Sequence, residues 1–545
     1  MDGLMMDFQL TLPAILRRAE QLYGSREIVS RRPDKSLHRY TYADMTRRAR
    51  QLAVALRGLG ITPGDRVATF AWNHYQHLEA YFGVPSCGAV LHTLNLRLHP
   101  DDLTYIIGHA GDRVVLVDDV LWPLFERVLP RVTLDHVVVI SESGDTPEGT
   151  LSYEALLAGA NPDDCGDPGL DERQAAAMCY SSGTTGRPKG VVYSHRAIVL
   201  HSLACALPDV VDLQETDVVT PIVPMFHVNA WGLPFTATML GTKQVYPGPH
   251  LDPASLAELF QAERVTMTAG VPTIWLGLLQ LLDKDPGAYD LSSMRAMLVG
   301  GQAAPEAMIR GFKERHGLDV RQGWGMTETT PVGTVSYVPA EARDEPDDVH
   351  YHYLATAGRP LPFVEVRAVG EQGIVPWDGE TMGELEVRGP WIAASYYDNP
   401  AAASQFTEDG WFRTGDIASI DPLGYVAIKD RIKDVIKSGG EWISSVALEN
   451  ALMGHPAVAE AAVVAVPHPK WLERPVAVVV LKEGQTATEE ELRALLESQF
   501  AKWWVPDAIV FTEAIPRTST GKFLKSALRD DLRDRFVDRF AAETA

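Results

Sequence analysis

The densest run of chemistry-bearing side chains reads YSSGTTGRPKG, residues 180–190. Residues 181–186 are unbroken serine, threonine and glycine, and Lys189 and Gly190 follow. Glycines let a backbone turn sharply, through positive φ where needed, and admit a bulky anion against the main chain. Main-chain N–H groups and the hydroxyls of Ser181, Ser182, Thr184 and Thr185 can then donate to phosphate oxygens, while Lys189 supplies a mobile point charge. Gly183 and Gly186 stand too close together for a Walker loop, and Lys189 precedes glycine where that pattern needs serine or threonine. The stretch predicts a phosphate loop of another kind, with a polar surface turn as the bland alternative.

Other segments leave two readings open. His227 and Trp231, in VPMFHVNAWG, are a satisfied core histidine and a packed indole, or groups beside a ligand. Glu328, in GWGMTETTPVG, is taken alone part of a helix cap, or, as the resemblance described next implies, a hard carboxylate for a magnesium ion shared with phosphate oxygens. Asp416, in RTGDI, makes an Asx turn, or, as the resemblance described next implies, accepts from a vicinal diol with both oxygens. Lys522, ending PRTSTGK, is taken alone a solvated surface charge, or, as the resemblance described next implies, one presented by a turn to negative charge developing in a transition state. Two glycines in KSGGEWI, residues 437–443, mark a loop that something approaches closely.

Taken in order, SSGTTGRPKG, VNAWG, GWGMTETTPVG, DGWFRTGDI, DRIK, GGEWIS and PRTSTGK resemble the adenylate-forming superfamily, its acyl-CoA synthetases above all. The likeness spans essentially the whole chain, and VNAWG and GGEWIS resemble the medium- and long-chain fatty acyl branch. It implies ATP and CoA as co-substrates, Mg²⁺, and a carboxylic acid activated first as acyl-adenylate and then passed to CoA. A short methylthio acid such as 3-methylthiopropanoate is the alternative substrate, and a catalytically silent binding protein on the same scaffold the alternative class.

The resemblance also implies a site. Ser181, Ser182, Gly183, Thr184, Thr185, Gly186 and Lys189 hold phosphates. Gly301, Gln302, Ala303, Gly323, Trp324, Gly325, Met326 and Thr327 border the adenine, and Asp416, Arg431, Lys433, Lys437 and Lys522 complete the nucleotide contacts. Lys522, Thr184 and Glu328 are the catalytic set, Thr184 and Glu328 with the metal. His227, Val228, Trp231, Gly300, Pro331 and Val332 line the acyl pocket, Trp231 as its gate. Ser438, Gly439, Gly440, Glu441 and Trp442 face CoA, and Asp430 and Lys433 form the hinge. This chain departs from the family pattern at Trp324, usually tyrosine, which keeps a stacking face but loses a hydroxyl. Gln302, Trp442 and Thr520 replace a small polar residue, asparagine and serine.

These residues need elements to carry them. Apolar spacing predicts helices within 13–60, a strand at 66–70, a helix at 79–84, and strands at 114–118 and 137–140. Short apolar strands alternating with helices imply a helix-covered parallel sheet. A surface connection over 141–170 leads to a strand at 175–178 that enters the phosphate loop. A helix at 253–262 precedes a strand at 297–299. Residues 383–437 alternate like short antiparallel strands, a β subdomain. Helices at 447–453 and 488–500 with strands at 461–464 and 476–481 predict a small α+β unit. The fold class expected is α/β, with a large N-terminal domain over 1–430 and a small mobile C-terminal domain over 431–545.

A chain of 545 residues exceeds what one hydrophobic core supports. A net charge of −23 argues against a nucleic-acid binder, since such affinity rests on clustered lysine and arginine. The first residues lack a basic segment ahead of an apolar run, and no apolar stretch reaches bilayer length. Four scattered cysteines suit a reducing compartment. The expectation is a cytoplasmic protein without a transmembrane segment, a homodimer left open.

Overall fold

A computed structural model describes the chain apart from Asp2, residues 182–186, Gly440, residues 518–521 and Ala545, and apart from the side chains of 441, 534 and 537–544. The first of its sheets has seven strands, in the order Leu151–Ser152, His136–Ile140, Asp112–Asp118, Arg66–Phe70, Val90–Thr93, Ala175–Tyr180 and Gly190–Ser194. All neighbours run parallel except the last pair. The Ser/Thr/Gly run therefore stands in the chain between two antiparallel strands, where a Walker loop would lead into a helix.

The second sheet has nine strands. Its middle is parallel: Val320–Gly325, Ala296–Val299, Met267–Gly270, Val218–Pro221 and Lys243–Tyr246. Residues 13–60 hold more than the expected helices. Between Leu12–Tyr23 and Tyr42–Gly58 lies a hairpin, Glu27–Arg31 with Leu37–Thr41, which caps this second sheet beside Lys243–Tyr246. The second helix starts on a capping box, Thr41 with Asp44, a device worth about 1 kcal/mol. One apolar cluster gathers Val67 and Val114 of the first sheet with Val219 and Met267 of the second, so both sheets share a core.

The antiparallel sheet begins earlier than residue 383. Gly373–Ile374, Glu365–Gly370, Gly383–Arg388, Phe412–Ile420 and Val426–Arg431 pair in that order. From Ile436 onward the chain builds another sheet, with Leu472–Leu481 between Ile436–Ser438 and Val458–His468. Its two faces bury separate clusters, Leu448 and Leu492 on one, Leu528 and Phe536 on the other. All four cysteines are buried free thiols. Among the described residues, no helix is long and apolar enough to cross a membrane.

Candidate active site

A cavity of about 650 Å³ opens where the sheets meet, and groups expected to act together converge on it. Asp416 lies on Phe412–Ile420 directly across from Arg431 on the neighbouring antiparallel strand. Arg431 Nε approaches Asp416 Oδ1 at 2.6 Å, and Trp324 Nε1 donates to Oδ2 at 2.8 Å. Asp416 is buried, so both charge-assisted bonds are short of competing water. The indole N–H thus supplies a polar contact where loss of a hydroxyl was expected. Trp324 rests on Gly333, where a Cβ would come within 2.7 Å of indole Cζ3.

Glu328 sits in the 3-10 turn Thr327–Thr329 at the end of Val320–Gly325. It is buried, and Tyr396 donates its hydroxyl to Oε1 at 2.6 Å. Burial, with the Glu328 carboxylate beside it, pushes the Tyr396 hydroxyl far above its usual pKa, so it stays a donor. Lys189 places its ammonium 4.8 Å from the Tyr396 ring centre and donates to Gln405 Oε1 at 2.9 Å. The two ends of the expected phosphate loop are pinned together by Ser181 N donating to Lys189 O and Lys189 N donating to Ser181 Oγ. Ser182, Gly183, Thr184, Thr185 and Gly186 lie outside the described residues, as does Gly440.

Lys522 reaches the same cavity from the C-terminal unit. Burial lowers its pKa to about 8, helped by Arg431 and Lys433 and opposed by Asp416 and Glu328. Its Cε would lie 3.7 Å from a Cβ at Gly301, whose φ of 83° only glycine adopts readily. Gln302, Ala303, Gly323, Gly325, Met326 and Thr327 border the cavity too. Gln322, which the sequence left unremarked, steadies this turn by accepting from Ala304 N at 2.6 Å. Tyr396 was missed as well: YYDNP carries no pattern that separates a carboxylate's partner from an ordinary turn.

His227, Val228, Trp231, Gly300, Pro331 and Val332 line another part of the cavity, so His227 is no simple core histidine. Burial, then Lys522 and Arg97, drive its pKa down to about 3 and keep it neutral. The backbone over Val228–Trp231 is left-handed, with φ of 45°, 50°, 49° and 56°, and Gly232 follows at 73°. Such a turn costs L-residues roughly 1–2 kcal/mol each. Gly232 makes room for His201, whose Nδ1 would lie 2.8 Å from a Cβ there. That imidazole accepts from Val332 N at 3.3 Å and meets Trp391 edge-on. Trp231 itself closes on Gly300, its Cη2 2.9 Å from where a Cβ would stand.

Among the described residues, none of the expected CoA-facing hairpin, Ile436–Ser438 with Glu441–Ile443, lines the cavity. Lys437 is exposed there, apart from the other expected nucleotide contacts, and its N–H goes to Glu473. Gly439 donates to Trp471 O at 2.9 Å, and Ser438 Oγ accepts from Arg474. Trp442 is half-buried on the same hairpin. Asp430 lies at the junction, buried, and accepts from Ser445 N at 2.7 Å. Lys433 borders the cavity beside it.

Trp231 and Val332, the buried carboxylate of Asp416 and the ammonium of Lys522 thus share one cavity. Residues 16–397 match the family model of AMP-binding enzymes, and residues 447–522 match the AMP-binding enzyme C-terminal domain. The chain belongs to the AMP-binding enzyme family. It is 54% identical to a long-chain fatty acid–CoA ligase of Thermus thermophilus, across 98% of this chain and 97% of that one. It is 43% identical to a 3-methylmercaptopropionyl-CoA ligase of Ruegeria lacuscaerulensis, across 98% and 99%. The fold superimposes on ATP-bound MatB from Rhodopseudomonas palustris with a TM-score of 0.82 and 28% identity, covering 97% of this chain and all of that one (100%).

Proposed function

We propose that this acyl-CoA synthetase acts on medium- or long-chain fatty acids. The observation that carries the reading is the convergence of Lys522, Arg431, Asp416 and Glu328 on one cavity that Val228, Trp231, Leu276 and Val332 also line. In the first step a carboxylate oxygen attacks the α-phosphorus of ATP, the bond to the bridging oxygen breaks, and pyrophosphate leaves. In the second, CoA thiolate attacks the acyl carbon and AMP leaves. Lys522 would offset charge developing on the α-phosphoryl oxygens. Asp416 would hold the ribose, Trp324 would stack on adenine, and His227 and Trp231 would flank the acyl group. Val228, Trp231, Leu276 and Val332 support an acid with an alkyl chain over the short methylthio acid of the Ruegeria relative.

A magnesium ion suits the donor set. Mg²⁺ keeps most of its waters and takes one or two carboxylates plus substrate phosphates, and Glu328 is one buried carboxylate at the cavity, oriented by Tyr396. Glu328 and Thr184 would hold it, and the ion would neutralise phosphate charge. We further infer a boundary at 430/431, with Asp430 and Lys433 as hinge. The separate clusters after Ile436 support it. The small domain then presents Lys522 in one orientation and the 437–442 hairpin in the other.

The test is CoA consumption with acids from acetate length to C18, with 3-methylthiopropanoate alongside. Highest kcat/KM on acids of eight or more carbons is expected. A preference for 3-methylthiopropanoate would overturn the fatty acid assignment.

A further inference from the structure

The Trp324–Asp416 hydrogen bond joins two strands of different sheets, Val320–Gly325 and Phe412–Ile420, inside the cavity. Arg431 binds the other carboxylate oxygen. A carboxylate has about two acceptor sites on each oxygen, so each still has one for a further donor. With each oxygen already tied to a different neighbour, the group cannot turn about its last bond without breaking a charge-assisted bond. The two remaining acceptor sites therefore point in fixed directions. A vicinal diol needs that: two acceptors at once, set at one spacing.

Trp324 is itself held. One face lies on Gly333, where no side chain fits, and the ring borders the cavity. The ring that borders the cavity is also the one that donates its N–H to Asp416. We infer that Trp324 is a positioning residue for ribose recognition: its N–H locks the Asp416 carboxylate and thereby sets how strongly the enzyme prefers a ribonucleotide with both hydroxyls. The inference rests on the reading that Asp416 holds the ribose.

ATP–pyrophosphate exchange with decanoate, run on ATP, 2′-deoxy-ATP and 3′-deoxy-ATP, measures that preference as a ratio of kcat/KM values. Trp324→Phe keeps an aromatic face and removes the donor. It should narrow the ratio by roughly tenfold, through a higher KM for ATP with the deoxynucleotides little changed. Benzothienylalanine placed at 324, an indole shape with sulfur in place of N–H, should do the same and covers the case in which the Phe variant folds poorly. Equal losses on all three nucleotides would mean that the ring only stacks, and would overturn the inference. Asp416→Asn separates the two claims. A ratio collapsed by Asp416→Asn but untouched by both ring variants removes the role of Trp324 alone. A ratio that Asp416→Asn leaves intact removes the ribose reading, and the inference with it.

Discussion

At the scale of single residues, the clearest consequence concerns Lys522. A buried ammonium with a pKa near 8 is charged below that pH and neutral above it. If it stabilises the adenylation transition state, exchange activity should hold below pH 8 and fall as pH rises through it. Lys522→Arg should move that fall upward, because guanidinium stays charged. Lys522→Ala should cut exchange by roughly 10²–10³ while pre-formed acyl-AMP still reacts with CoA. Equal loss of both half-reactions would make the lysine structural. Tyr396 carries a second prediction. Tyr396→Phe removes the donor to Glu328 Oε1, so the magnesium concentration for half-maximal activity should rise several-fold. An unchanged magnesium requirement would detach Tyr396 from the metal.

At the scale of elements, the left-handed turn decides how the acyl wall is built. Gly232→Ala would meet His201 and an unfavourable φ at once, and should lower stability by more than about 1 kcal/mol, read by denaturant unfolding. Trp231→Ala should reorder acid chain lengths more than it changes ATP affinity. A large fall in Tm with an unaltered chain-length profile would make the ring ordinary packing. The sequence announced the residues here and concealed their backbone. HVNAW contains nothing that demands positive φ, because His201, which sits against Gly232, lies some thirty residues earlier. Long periodic elements were readable for the opposite reason. Tyr42–Gly58 and Glu489–Gln499 carry both their apolar spacing and their capping boxes locally. The hairpin Glu27–Thr41 escaped because its strands are short and its parallel partner, Lys243–Tyr246, is some two hundred residues away. The Trp324–Asp416 bond escaped likewise, since only tertiary structure brings those strands together.

At the scale of the whole molecule, buried histidines set an acid limit. Burial lowers His201 to about 3, and His77 and His195 to about 4. Above pH 6.5 these rings are neutral folded or unfolded and contribute nothing to the pH dependence. Below it the unfolded chain takes up protons that the folded chain refuses, so stability falls as pH drops from 6.5 towards 4. His74 works the other way. Burial opposes its charge, yet Asp118 at 2.8 Å raises its pKa, so its contribution is full below pH 6.5 and fades as pH rises through its folded pKa. With His38, near 4, and His227, near 3, five depressed histidines stand against one raised, and the histidines predict a net fall in Tm between pH 6.5 and 4, measurable by calorimetry. A flat profile over that window would refute the balance.

Lys522 borders the cavity while the 437–442 hairpin does not, although both belong to the chain after Asp430. On the proposed division of labour, two tools on one handle cannot be used at once. The order of events would then be written into the covalent chain and need no ranking of affinities: thiol chemistry would wait until the lysine has withdrawn. Flooding the enzyme with CoA should then leave the initial burst of pyrophosphate unchanged and alter only the turnovers that follow.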